Sequence, residues 1–335
     1  MLTNQDLIIT VSTMKFLRSN WFISMLLASI IIIGTSELVL NHYRKKNVGK
    51  ASAEKSVVPD INAVADPKER EMINYGKDLI TNTAKYLGPH GKVSAITNGL
   101  NCQDCHLNAG TKLYANNFFA VASTYPKFRE RSGKVESVEW RINECMERSL
   151  NGKKIDSASH EMQAMVTYLL WVGKNVHKNE KINGVGTAEI PFLDRPADPI
   201  KGQSIYNTRC QSCHGKNGIG VLSADSTSYL YPPLWGSNAY AVSAGIYRIS
   251  KLSAYVRNNM PPGATYKKPQ LIDEEAWDVA AYINSQPHPQ KMFAYDWPVI
   301  GTKPIDYPFG PYTDGFNEYQ HKYGPFQLIK KAKER

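Results

Sequence analysis

Cys102-Gln-Asp-Cys105-His106 and Cys210-Gln-Ser-Cys213-His214 are two copies of one five-residue pattern in a chain of 335 residues. In each, two thiols three positions apart are followed at once by an imidazole. This is the spacing of covalent haem attachment: the thiols form thioethers with the porphyrin vinyl groups and the adjoining histidine reaches the iron. A single copy has two other readings. A zinc site needs further ligands nearby, and a redox dithiol has no use for the histidine. The repeat favours two covalently attached haem c groups, held by Cys102, Cys105, Cys210 and Cys213, with His106 and His214 as iron ligands.

Outward from the pentads the chain repeats a second design. The stretch ADPKEREMINYGKDLITNTAKYL, residues 65–87, offers Asp66 as N-cap, Pro67 at the first helical position and Glu69 in the first turn. Ala197-Asp198-Pro199 opens a similar glycine-containing stretch that runs into Cys210. Each half also closes with a helix. Residues 159–172 place Met162, Met165, Val166 and Leu169 on one face, and residues 274–284 place Trp277, Ala280 and Ala281 likewise, with Asp273 as a cap. An opening helix, a pentad, a long loop and a closing helix resemble a class I cytochrome c domain. The expected fold is therefore mainly α, with two class I cytochrome c-like domains in tandem, over 60–185 and 190–287. KINGVGTAEIPFLDRP (181–196) reads as the linker, because its Gly and Pro discourage helix and central strand. Residues 288–335 form a C-terminal extension too aromatic for a free disordered end, expected to wrap the domains.

Residues 1–50 carry an address. WFISMLLASIIIIGTSELVL (21–40) is apolar apart from Glu37 and follows Lys15 and Arg18, the pattern of an export segment. The small-residue triplet Ala51-Ser52-Ala53 lies downstream of Arg44-Lys45-Lys46, so the reading leans to an uncleaved membrane anchor over a cleaved signal peptide. Basic residues flank the segment on both sides and leave its orientation open on charge alone. Covalent haem is mounted outside the bacterial inner membrane, so the body is expected in the periplasm.

Composition bounds the partners. With 42% hydrophobic and 21% charged residues, the chain is neither disordered nor polytopic. Its formal charge of +10 falls to roughly +6 once two haems bring four propionates. Such a balance steers small anions or acidic partners. Nucleic acid is not expected, since no aromatic-basic stripe or nucleic-acid motif accompanies the charge.

What each iron meets on its other side separates the two sites. Met260, in Asn258-Asn259-Met260-Pro261-Pro262-Gly263, lies forty-six residues after His214, and a Met-Pro loop there suits a distal ligand better than a core methionine. Met/His ligation raises haem potential, as an electron exit requires. No such loop follows the first haem, although Met146, Met162 and Met165 lie in range. Cys145 stands instead thirty-nine residues after His106, with Arg131, Arg141 and Arg148 close in sequence. A lone buried cysteine is more often simply packed. Neighbouring arginines favour its thiolate, and a thiolate on iron would lower the first haem's potential relative to the second.

From about Gly88 onward the chain resembles the dihaem thiosulfate dehydrogenase and tetrathionate reductase family. The resemblance rests on Arg131-Ser-Gly, Arg141-Ile-Asn-x-Cys145-Met-Glu-Arg-Ser-x-Asn-Gly, Tyr231-Pro-Pro-Leu-Trp-Gly, Ala244-Gly245, Glu275-Ala-Trp-Asp-Val-Ala-Ala-Tyr and Gln320-His-Lys-Tyr-Gly-Pro-Phe. The first half is also similar to the haem subunit of the Sox sulfur-transferase cytochrome. The resemblance implies interconversion of thiosulfate and tetrathionate at the first haem, with Cys145 as axial ligand and Arg131, Arg141 and Ser149 as substrate-binding groups. The second haem would relay electrons to a periplasmic or membrane redox partner. Some members of the family carry a lysine before the distal methionine; here that position is Asn259, which favours a simple His/Met haem. The rival expectations are an electron-transfer dihaem cytochrome with no substrate of its own, a dihaem peroxidase and a Sox-type sulfur-transfer cytochrome.

Overall fold

The structure, a computed structural model, describes residues 58–178, 180 and 182–334. The expected export segment or anchor at 21–40 lies outside the described residues. Helix α1 (Pro67–Thr81) starts as its sequence predicts: the Asp66 carboxylate accepts the Lys68 amide at 2.9 Å, and Pro67 sits where no N–H is needed. Helices α2 (Val138–Arg148) and α3 (His160–Val172) are capped by Ser137 and Ser159, whose hydroxyls accept the Trp140 and Met162 amides. The first core forms where α1 meets α3, burying Ile73, Leu79, Met162, Met165 and Leu169. Their axes can approach only because residue 76 is glycine; a Cβ there would lie 2.0 Å from the Ala164 carbonyl oxygen.

The second half repeats this construction. Asp198 caps helix α4 (Pro199–Arg209), accepting from the Ile200 amide at 2.8 Å, and α4 runs straight into Cys210. Helix α5 (Ile249–Asn259) ends at Met260, and α6 (Asp273–Ser285) closes the domain. Where α4 crosses α6, a Cβ on Gly202 would lie 1.9 Å from the Asp278 carbonyl oxygen. A crossing glycine is thus duplicated along with the pentad. One expectation is corrected: Asp273 is the first helical residue of α6, and Ile272 occupies the cap, its N–H held by the Glu275 carboxylate at 3.0 Å. Asp273 instead takes Arg257 as partner, and with Glu274 and Glu275 puts three negative charges at the positive end of the helix.

Two short antiparallel hairpins interrupt the helices. Strands β1 (Lys127–Arg129) and β2 (Lys134–Glu136) pair with Phe128 opposite Val135, and their turn carries Arg131 to the entrance of α2. Strands β3 (Val221–Leu222) and β4 (Tyr229–Tyr231) follow the second pentad. From Ile182 to Pro196 the linker forms neither helix nor strand. It is held by both halves: Gly184 O accepts the Tyr114 amide at 2.7 Å, and Pro191 O accepts the Trp277 indole at 2.9 Å.

The extension touches both halves as well. Its last helices, α7 (Glu318–Tyr323) and α8 (Phe326–Lys333), insert Tyr323, Phe326 and Ile329 into the second core. Full burial of a side chain such as Phe326 contributes about 1.5–3 kcal/mol. Upstream, the Trp297 amide donates to Arg131 O at 2.6 Å, pinning the extension to the β1–β2 turn. Among the described residues no helix is long and apolar enough to cross a membrane.

Candidate active site

Both pentad histidines are set to offer Nε2 to a metal. The Nδ1 of His214 bonds the Pro232 carbonyl at 2.8 Å, and that of His106 bonds the carbonyl of Asn116. Asn116 is itself fixed, its amide donating to Gly186 O of the linker at 2.9 Å. Because a carbonyl only accepts, Nδ1 carries the proton and the Nε2 lone pair stays free. Burial holds His106 down to about 4 and lowers His214, so both rings are neutral. Burial pushes the Cys102 and Cys105 thiols up to about 12 and Cys210 to about 11, the opposite of what a redox dithiol needs.

The second pentad opens on an apolar cavity. Cys210, Cys213, His214 and Met260 share its walls with Leu252 and Val256, around some 1490 Å³ of space that includes its mouth. Tyr240 lines the same cavity, and its buried hydroxyl has no hydrogen-bond partner among the described residues, a donor suited to a haem propionate. The residues present therefore fit haem. Asp104 and Cys105 of the first pentad also line this cavity, so the two attachment sites adjoin. Helix α5 ties them together: the Tyr255 hydroxyl donates to Asp104 O at 3.0 Å and the Asn259 amide group to Tyr114 O at 3.1 Å.

Helix α2 lies within electrostatic reach of the first pentad. Arg141, Cys145 and Ser149 fall on successive turns of one face, half-buried, while Ile142, Asn143, Glu144, Met146 and Arg148 between them are buried. Cys145 is the largest influence on Arg141, holding its guanidinium firmly protonated against burial. Cys145 also contributes to the rise at Cys102 and Cys105, so its sulfur lies within electrostatic reach of the attachment thiols. The Ser149 amide closes the turn by donating to Cys145 O at 2.8 Å. Met146, Met162 and Met165, the other residues in range of the first iron, are fully buried in the first core.

The three arginines near Cys145 in sequence are placed differently, though Arg131 and Arg148 share Asp296. Arg141 shares the cysteine's face. Arg131 is buried on the β1–β2 turn with its Nε 3.8 Å from Asp296, and burial, aided by the charge of Arg148, lowers its pKa to about 10. Arg148 turns inward, its two terminal nitrogens each 2.7 Å from Asp296, with Glu144 at 3.2 Å. The sequence reading missed Glu144 and Asp296. Glu144 sits within the quoted motif at helical spacing from both α2 arginines, a local cue; Asp296 meets Arg148 across 148 positions of chain and left none.

Two pentads, each with a carbonyl-fixed histidine beside its own core, define a dihaem cytochrome c. Residues 92–176 match the SoxA/TsdA cytochrome c domain and residues 200–287 match the cytochrome c family. The chain belongs to the thiosulfate dehydrogenase family: it is 32% identical to the thiosulfate dehydrogenase of Stutzerimonas stutzeri over 66% of this chain and 68% of that one. It is 33% identical to that of Allochromatium vinosum, over 69% and 84% of the two chains. Its fold is similar to the solved thiosulfate dehydrogenase (TsdBA) from Marichromatium purpuratum, with TM-score 0.63 and 28% identity. That likeness covers 70% of this chain, which spans half of the solved one.

Proposed function

We propose that this chain joins two thiosulfate ions into tetrathionate, or splits tetrathionate back, at a first haem ligated by His106 and Cys145. His214 and Met260 would hold a second haem, which would supply the exit for electrons. As an oxidoreductase of its family the chain acts on thiosulfate. The observation that carries the finer reading is the single face of α2 on which Arg141, Cys145 and Ser149 stand together within reach of the first pentad.

Joining two dianions is the obstacle. At about 4 Å and an effective dielectric near 20 each unit pair repels by about 4 kcal/mol, hence on the order of 16 kcal/mol for two double charges. Arg141 supplies a fixed fork to sulfonate oxygens and Ser149 a hydroxyl donor. Arg131, buried and beside Arg148, would also be favoured by an arriving anion. When bound, the haem groups supply one-electron acceptors, the thiolate-ligated one at lower potential and the methionine-ligated one at higher. With its sulfur free of the iron it would otherwise hold, the Cys145 thiolate forms an S–S bond to the sulfane sulfur of one thiosulfate, the two electrons released being taken up by the two one-electron acceptors. A second thiosulfate then attacks that sulfane sulfur, the bond to Cys145 breaks with the thiolate as leaving group, and tetrathionate is released.

Asn259 supports a stable His/Met exit: its amide group donates to Tyr114 O and Tyr255 O at 3.1 Å, and no lysine stands at that position to compete with Met260. The periplasm is the proposed compartment, with residues 21–40 as an anchor and a periplasmic or membrane protein as redox partner; covalent haem and the apolar segment support this. The test is the holoprotein assayed both ways, with thiosulfate and ferricyanide and with tetrathionate and reduced viologen. One tetrathionate per two ferricyanides is expected. Reducible haems with no sulfur turnover in either direction would leave a pure electron-transfer cytochrome.

A further inference from the structure

Arg141, Glu144, Arg148, Asp296 and Arg131 form one line of alternating charge. Glu144 bridges Arg141 at 3.1 Å and Arg148 at 3.2 Å; Asp296 takes both terminal nitrogens of Arg148 at 2.7 Å and stands 3.8 Å from Arg131. The three inner members are shut from water, with side chains 3%, 2% and 5% exposed. The two ends are the arginines assigned to the substrate. Asp296 comes from neither haem domain but from the extension, and the chain is built to deliver it. Phe293 lies 4.1 Å from the Arg148 guanidinium, and the Trp297 amide is bonded to Arg131 O. Trp297 itself adopts φ 61°, a left-handed conformation unusual for a large residue. On the other side of the contact, Gly133 at φ 63° leaves the space that Pro298 occupies; a Cβ there would meet the proline ring at 2.6 Å.

We infer that Asp296 is a positioning residue for the reaction: through Arg148 and Arg131 it sets the spacing of the two substrate arginines, so the extension completes the active site. This rests on the reading that Arg131 and Arg141 bind thiosulfate. Two effects of removing its charge oppose each other. A more positive site would attract the dianion more strongly, whereas Arg148 and Arg131, both buried, would lose their shared counter-ion and move apart. The second should prevail, because Arg148 exchanges two charge-assisted hydrogen bonds for at most one neutral acceptor, and Glu144, already shared with Arg141, cannot also serve Arg131.

The test compares Asp296→Asn, Asp296→Glu and Asp306→Asn as holoproteins. Asp306 is another buried carboxylate of the extension, paired with Arg248 at 2.5 Å, and so controls for loss of stability alone. Asp296→Asn should raise KM for thiosulfate about tenfold while kcat falls less than twofold and the haem absorption spectra stay unchanged. Asp296→Glu should recover most of the KM, and Asp306→Asn should lower the melting temperature without moving KM. An unchanged or lowered KM in Asp296→Asn, or an equal rise in Asp306→Asn, would overturn the inference. Arg131→Ala separates the levels: if it too leaves KM unchanged, the substrate assignment of Arg131 fails, whereas a raised KM there beside an unchanged one in Asp296→Asn sinks only the positioning role.

Discussion

Arg141 and Arg148 lie on one helix, two turns apart, and meet opposite fates. Arg141 keeps a third of its side chain open beside Cys145, while Arg148 is closed in by Glu144 and Asp296. Arg141→Ala should therefore raise KM for thiosulfate at least about tenfold with little change in melting, since binding to ground and transition state is lost alike. Arg148→Ala should cost about 3–5 kcal/mol of stability, because it removes the cation two buried carboxylates share and leaves Glu144 only Arg141 and Asp296 only the more distant Arg131. Steady-state kinetics beside denaturant titration of the two holoproteins checks both. At this scale the sequence displayed which residue types gather around Cys145 but not which way each points. The i and i+4 spacing of Arg141, Cys145 and Ser149 was readable because a helix fixes its own faces. The inward turn of Arg148 depends on a carboxylate from a distant segment, and distant pairing leaves no periodicity to read.

Helix starts were the most legible elements, because a cap is made by neighbours in sequence. Asp66-Pro67 and Asp198-Pro199 behave as their types dictate, and Asp273 missed by one position because Glu275 reaches back to hold the Ile272 amide. The paired glycines at the helix crossings were visible only as residues, not as contacts. Gly76→Ala should destabilise the first domain by about 1–3 kcal/mol or more, as overpacking does, read as a lowered melting temperature; an unchanged one would mean that the crossing is looser than described. Where α6 passes into the extension, His288 is buried between the Tyr240 and Ile283 carbonyls at 3.2 and 3.1 Å, and burial outweighs these two acceptors, which favour the proton, holding its pKa below the usual histidine value. The unfolded chain then binds a proton below about pH 6.5 that the folded chain refuses. Its contribution is full above that pH and declines as the pH falls, by up to about 1.4 kcal/mol per unit. Melting curves between pH 7 and pH 5 should be less steep in acid for His288→Gln than for the parent.

Across the whole molecule, two duplicated domains are made unequal by what faces each pentad. The tandem cytochrome fold was legible because covalent haem attachment is dictated by five consecutive residues, and the closing helices by their apolar faces. The adjacency of the two attachment sites was not, since it arises from α5 bonding across to Asp104 and Tyr114. Nor was the part played by the extension, which reads as an aromatic wrap and turns out to carry the carboxylate behind two arginines. In the proposed reaction sulfur chemistry happens on Cys145 and the second haem only exports electrons. Tetrathionate formation from thiosulfate by Cys145→Ala, purified with both haems loaded and Met260 intact, tests this most directly. Turnover should fall by about a thousandfold or more, the scale lost with a covalent nucleophile, while the second haem still reduces and reoxidises normally. Tetrathionate released at the parent rate would contradict it.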